Sequence, residues 1–177
     1  MKTNQQKRKT KPEIAVIMGS DSDWQAMQAS IKVLTEFNLA FEVSVISAHR
    51  SPARAIEYAG HAKSRGIQII IAAAGGAAHL AGVLAAHTTL PVIGVPMKSN
   101  TLDGLDALLS TVQMPAGVPV ATVALGSAGP GNAAVLAVQI LSLNRKTLAN
   151  ALQRYKQQLE TKVNTAHQRV QKELVTL

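Results

Sequence analysis

Five short apolar runs rich in β-branched residues punctuate the chain, over residues 14–18, 41–46, 67–72, 91–95 and 120–124. Each has the length of a strand. Between them the period changes. Trp24, Met27, Ile31 and Leu34 recur at steps of three and four, and Leu102, Leu105, Leu108, Leu109 and Val112 repeat the pattern, the spacing of a helix face turned to a core. Strand alternating with helix is the mark of parallel βαβ units, whose strands are covered on both faces and read as unbroken apolar runs. The pattern therefore predicts an α/β three-layer sandwich with five parallel strands. Ser51-Pro52 supplies an N-cap before a proline at the first helical position, and Gly66 a C-terminal stop. From Leu148 a further stripe, Leu152, Tyr155, Leu159, Val163, Ala166, Val170 and Leu174, runs along an otherwise polar, basic helix. One stripe asks for burial, so residues 146–177 are expected to form an arm on their own domain or on a neighbouring subunit; alanine at 166 weakens a self-standing coiled coil.

With 177 residues, 47% of them apolar, the chain suits one domain with a sizeable core. Charged residues make up only 16%, against about 25% in an average soluble domain, so surface is expected to be covered in an oligomer. Cysteine is absent, which excludes disulfide frameworks and thiol nucleophiles and fits a cytoplasmic address. The net charge of +8 sits at the two ends: residues 1–12 carry +5, residues 145–177 another +5, and residues 13–144 carry −2. Five aromatics are too few for a base-stacking platform, which argues against nucleic acid. Residues 1–12 lack an apolar core segment and read as a solvated, disordered basic leader. The most apolar stretch, 67–90, is interrupted by Gly75, Gly76, His79, Gly82 and His87 and does not suit a membrane span. The organisation expected is a leader (1–12), a catalytic domain (13–145) and a helical arm (146–177).

In a parallel α/β sheet, ligands bind where strand C-termini open onto helix N-termini. Glycines, hydroxyls and most of the histidines and arginines of the central segment collect there: Gly19-Ser20-Asp21-Ser22-Asp23, Ser47-Ala48-His49-Arg50, Ala74-Gly75-Gly76-Ala77-Ala78-His79, Pro96-Met97-Lys98 and the turn 126–132. All five turns are expected to enclose one chamber. Gly19-Ser20 lets backbone approach an anion, or is simply a helix cap. Asp23 serves the helix dipole or ribose hydroxyls. His49 is a residue that moves protons, and the planar fork of Arg50 clamps a phosphate or carboxylate; the plainer alternative for His49 is a loop histidine bound to a carbonyl. His61, His87 and His167 are assigned to structure or solvent. Metal-ligand spacing, a Walker motif, a dinucleotide fingerprint and a nucleophile elbow are all missing from the sequence.

Met18-Gly19-Ser20-Asp21-Ser22-Asp23, Ser47-Ala48-His49-Arg50 and Ala74-Gly75-Gly76-Ala77-Ala78-His79-Leu80, followed by Gly94-Val95-Pro96, Val112-Gln113-Met114-Pro115 and Asn132-Ala133-Ala134, closely resemble the 5-(carboxyamino)imidazole ribonucleotide mutase family of purine biosynthesis, in order and register over residues 13–145. Ala73, Ala81 and Gly129-Pro130-Gly131 depart from the family pattern, and Ala73 puts the rate in question. The resemblance implies a flavodoxin-like subunit in a homo-octamer with its site at a subunit junction. It implies that Ser20, Asp23 and Arg50 bind the ribonucleotide and that His49 transfers the proton. Gly19, Ser47, Ala48, Gly75, Gly76, Ala77, His79 and Leu80 would support the pocket. The implied reaction moves a carboxylate from the exocyclic nitrogen to a ring carbon by loss, retention and recapture of CO2, with no metal, nucleotide cofactor or biotin. The related carboxylase, using free CO2, and a catalytically silent nucleotide-binding subunit are the alternatives.

Overall fold

A computed structural model describes residues 11–99 and 102–175; most of the expected leader, residues 1–10, lies outside them. β1 (Ile14–Met18) is buried at all positions, because it pairs in parallel with β2 (Phe41–Val45) on one side and β3 (Ile69–Gly75) on the other. β4 (Val92–Met97) continues from β3, and the two-residue β5 (Ala121–Thr122) from β4. The order β2-β1-β3-β4-β5 is that of a flavodoxin-like sheet, as the family resemblance implies, and its strands are all parallel, as the alternating pattern predicts. Between and after the strands run α1 (Trp24–Glu36), α2 (Pro52–Ala62), α3 (Leu80–Ala86), α4 (Leu105–Val112), α5 (Ala128–Ser142) and α6 (Lys146–Leu174). The chain forms two compact units, one ending at Ala137 and one beginning at Val138. Among the described residues no helix is long and apolar enough to cross a membrane.

Several expectations shift in register. β3 runs on to Gly75 because Ala73, Ala74 and Gly75 pair with Val95, Pro96 and Met97, which carries the third turn further along the rim. β2 is an edge strand, and Val43 and Val45 are exposed, so burial of every strand on both faces does not hold there. The edge is tied down instead by polar contacts: the Tyr58 hydroxyl donates to Glu42, Arg65 lies 3.0 Å from the same carboxylate, and its guanidinium covers the Tyr58 ring. Pro52 opens α2 as expected, yet Ser51 makes no capping bond. Its hydroxyl donates to the Ser47 carbonyl at 2.9 Å and accepts from the Ser47 N–H at 3.1 Å. Gly66, at φ +103°, ends the turn that follows α2, a left-handed position suited to glycine.

α1 behaves as its spacing predicts for Met27 and Leu34, both fully buried, while Trp24 is 42% exposed. α4 forms where expected but turns the other way. Ala107 and Thr111 face inward, whereas Leu105, Leu109 and Val112 are about half exposed and Leu102, in the preceding turn, is 65% exposed. The reason is Gly94 in β4: a Cβ there would collide with Thr111 Cγ2 and come within 2.8 Å of Val120 Cγ1. The helix sits too close to the sheet for leucine. In the second unit, Leu148 is buried, but Leu159, Val163, Val170 and Leu174 are exposed within one chain.

Replacing Gly94 by Ala forces α4 outward or strains it, so Gly94→Ala is expected to lower unfolding stability by about 1–3 kcal/mol. Urea denaturation followed by circular dichroism reads this; an unchanged midpoint would mean that α4 moves away freely.

Candidate active site

The first turn begins with Gly19, whose N–H donates to the Ala73 carbonyl at 2.9 Å and where an added Cβ would make an ordinary 3.6 Å contact with that of Ala74. Ser20 then closes a short turn: its hydroxyl accepts from the Ser22 N–H at 3.3 Å and from the Ser22 hydroxyl at 2.9 Å. Asp23 stands at the head of α1 without making a side-chain capping bond. Burial pushes its carboxyl above the ordinary range; a backbone hydrogen bond from Ser20 works against this, and repulsion from Asp21 adds to it. The capping reading thus holds for Ser20 and not for Asp23.

The second turn folds over the first. The Ser47 hydroxyl accepts the Arg50 N–H at 3.1 Å, which sets the direction of the Arg50 side chain. Arg50 Nη2 then donates to the Gly19 carbonyl at 3.1 Å. Turns one and two are therefore locked at the same rim. In the third turn Gly76 adopts φ +63°, reversing the chain so that His79 comes back toward the second turn. His49 Nε2 and His79 Nδ1 lie 2.8 Å apart, with ring planes at 87° and centroids 4.9 Å apart. One ring donates and the other accepts, so a single proton lies along that line.

These groups surround a cleft of about 320 Å³ lined by Gly19, Ser20, Ser22, Asp23, Ala48, His49, Arg50, Ala74, Gly75, Ala77, His79, Leu80, Lys98 and Ser99. Ser47 and Gly76 are not among its walls; they act from behind, one fixing Arg50 and the other turning the loop. Ser22 and Lys98 lie in turns read from the sequence as part of the rim but were given no role, and Ser99 was not selected; its signal was its place just after β4. The fifth turn does not border the cleft, which corrects the expectation of five converging turns. There a Cβ at Gly129 would collide with the Ala124 carbonyl, and the Pro130 carbonyl accepts the buried Ser30 hydroxyl at 2.5 Å, so that turn serves packing. His49, Arg50, His79 and Lys98 are exposed, so in one chain the chamber is open on one side. His61 and His87 each bond a carbonyl four residues back on their own helices, and His167 is exposed on α6. Among the described residues, no three His, Asp or Glu side chains gather as metal ligands.

Residues 13–162 match the model of the AIR carboxylase family. The chain is 52% identical over 161 residues to an N5-carboxyaminoimidazole ribonucleotide mutase of Pyrococcus horikoshii, covering 91% of this chain and 90% of that one. A Synechocystis protein of the same name is 57% identical over 152 residues, covering 86% and 85%. Among solved structures, Treponema denticola PurE superposes with a TM-score of 0.79 at 26% identity, over 87% of this chain and 95% of that one.

Because the folded protein holds the Asp23 proton more tightly than the unfolded chain does, the ionised carboxylate at neutral pH weakens the fold, and protonation removes that penalty. Asp23→Asn is therefore expected to raise Tm near pH 7, with the gain fading as pH falls through the carboxylate range. A pH series of thermal melts checks this; a Tm lowered at neutral pH would mean that the charge on Asp23 supports α1 instead.

Proposed function

Because the chain belongs to the AIR carboxylase family, we propose that it is the mutase that converts N5-carboxyaminoimidazole ribonucleotide into 4-carboxy-5-aminoimidazole ribonucleotide in purine biosynthesis. The observation that carries the reading is the His49–His79 contact at 2.8 Å, in the same cleft as Ser20, Asp23 and Arg50. In this reaction the N–C bond of the carbamate breaks, CO2 leaves, and the nitrogen gains a proton. The ring carbon then attacks CO2 and loses a proton. The two proton steps cancel, so one imidazole that first gives and later takes the proton balances the sequence with no further reactant. His49 is that residue. His79 fixes its orientation.

Arg50 and Ser20 bind the phosphate, and Asp23 the ribose; binding energy from this remote end holds the ring in place. The small residues Ala74, Gly75 and Ala77 leave space beside the ring for CO2, and retention there makes recapture effectively unimolecular. Two curated relatives at 52% and 57% identity bear the mutase name, which favours the mutase over the carboxylase that uses free CO2. The protein acts as a homo-oligomer, in the cytoplasm, with an octamer as the assembly. Supporting the association of subunits are the half-exposed apolar face of α4 at Leu105, Leu109 and Val112 and the open side of the cleft.

Purified protein supplied with the carbamate in the absence of bicarbonate is expected to form the ring-carboxylated product; activity only with aminoimidazole ribonucleotide and CO2 would assign it to the carboxylase instead. Replacing His49 by Asn should lower kcat by at least about a hundredfold while leaving ribonucleotide binding intact, as single-turnover assays and calorimetry would show. Preserved turnover would remove His49 from the proton step. Leu105→Asp combined with Leu109→Asp is expected to reduce the mass measured by light scattering, and an unchanged assembly would place the subunit contacts elsewhere.

A further inference from the structure

Lys98 is the cation of the cleft that the proposed reaction leaves without a task. It follows β4 directly and lines the same space as Arg50, which follows β2. In the order β2-β1-β3-β4 these strands are three spacings apart, about 14 Å, with the two histidines rooted between β2 and β3. Arg50 thus guards one end and Lys98 the other.

The stem and the head of Lys98 are held very differently. A Cβ on Gly104 would lie 3.0 Å from Lys98 Cα and 3.3 Å from the Met97 carbonyl, so the backbone at the end of β4 is tightly gripped. Ser99 next to it donates to both oxygens of Asp106, at 3.1 and 3.3 Å. The ammonium, by contrast, meets an exposed partner among the described residues: Nζ lies 3.0 Å from Asp103 Oδ1, with the two side chains 67% and 85% exposed. Such a pair is weak and easily exchanged for another carboxylate. Asp103 itself holds a left-handed backbone, φ 51°, between Leu102 at φ 56° and Gly104 at φ 92°, which fixes where the tether stands.

We propose that Lys98 is a positioning residue that receives the migrating carboxylate of the substrate, exchanging its ion pair with Asp103 for one with the ligand. The inference rests on the mutase reading. That substrate is anionic at both ends, phosphate and carboxylate, and Arg50 and Ser20 already meet the first. An ammonium at the β4 end binds the carboxylate on nitrogen and the carboxylate on carbon alike, but has little hold on neutral CO2. It therefore stabilises the bound substrate and product more than the decarboxylated state, a contribution to binding and not to the chemical step.

Replacing Lys98 by Met tests this on the intact protein. Calorimetry should show affinity for the ring-carboxylated ribonucleotide falling about tenfold, the scale of one charged hydrogen bond, with affinity for the uncarboxylated aminoimidazole ribonucleotide unchanged. Lys98→Arg should restore most of the loss, and Asp103→Asn should keep or raise affinity for the carboxylated ligand. In turnover, K98M should raise KM without lowering kcat. Equal loss for both ligands would put the ammonium on the phosphate and overturn the proposal, as would no loss for either, or a fall in kcat at constant KM. The binding arms need no turnover, so a wild-type protein inactive on the carbamate would refute the mutase reading and leave the carboxylate preference to be read separately.

Discussion

Parallel pairing is the constraint from which the rest follows. Because β1 is hydrogen-bonded in parallel to both β2 and β3, the chain leaves all three strands in one direction, and the turns after them cannot avoid each other. The order of the sheet reverses between β1 and β3, the place where open α/β sheets accept ligands. Arg50 then bonds the Gly19 carbonyl, converting nearness into fixed geometry, and His79 meets His49 across the same gap. No long-range electrostatic device is required; the histidine pair is a product of strand direction.

Small residues set a second condition. Gly94 and Gly104 each lie where a side chain would strike a neighbour, so β4 and α4 approach more closely than ordinary packing allows. The close approach narrows the rim near Lys98 and leaves larger side chains of α4 outside. The family departures fall on this packed side. Ala73 is fully buried and Ala81 nearly so, and neither is a wall of the cleft. Ala73 touches the site only through its carbonyl, which receives the Gly19 N–H.

Much of this was legible in the sequence, for reasons that differ from part to part. Strand direction follows from the alternation of buried runs with helical spacing, whereas a flavodoxin-like order came only with the family resemblance. His49, Arg50, Ser20 and Asp23 stand out because polar groups after an apolar strand in a parallel sheet face the ligand rim. The orientation of α4 was hidden: periodicity marks an apolar face, and only Gly94 beneath it shows that the face is turned away from the core. The edge position of β2 was hidden too, since Val43 and Val45 look like core residues until the strand order is known. Ser47 was chosen as a pocket residue, yet it acts through Arg50; its i to i+3 bond is local and has no sequence mark beyond a hydroxyl. Lys98 carries no motif; the sequence places it in a rim turn, and its task emerges only because β4 ends beside β3.

The stripe on α6 has a consequence of its own. Leu148, Leu159 and Val170 are spaced by eleven residues, close to three helical turns, or about 3.67 residues per turn. That is slightly looser than an undistorted α-helix and opposite in sense to the heptad rhythm of a leucine zipper. The ridge therefore runs almost straight, with a faint right-handed drift, and whatever lies along it must be shaped to a rod and not to a left-handed rope.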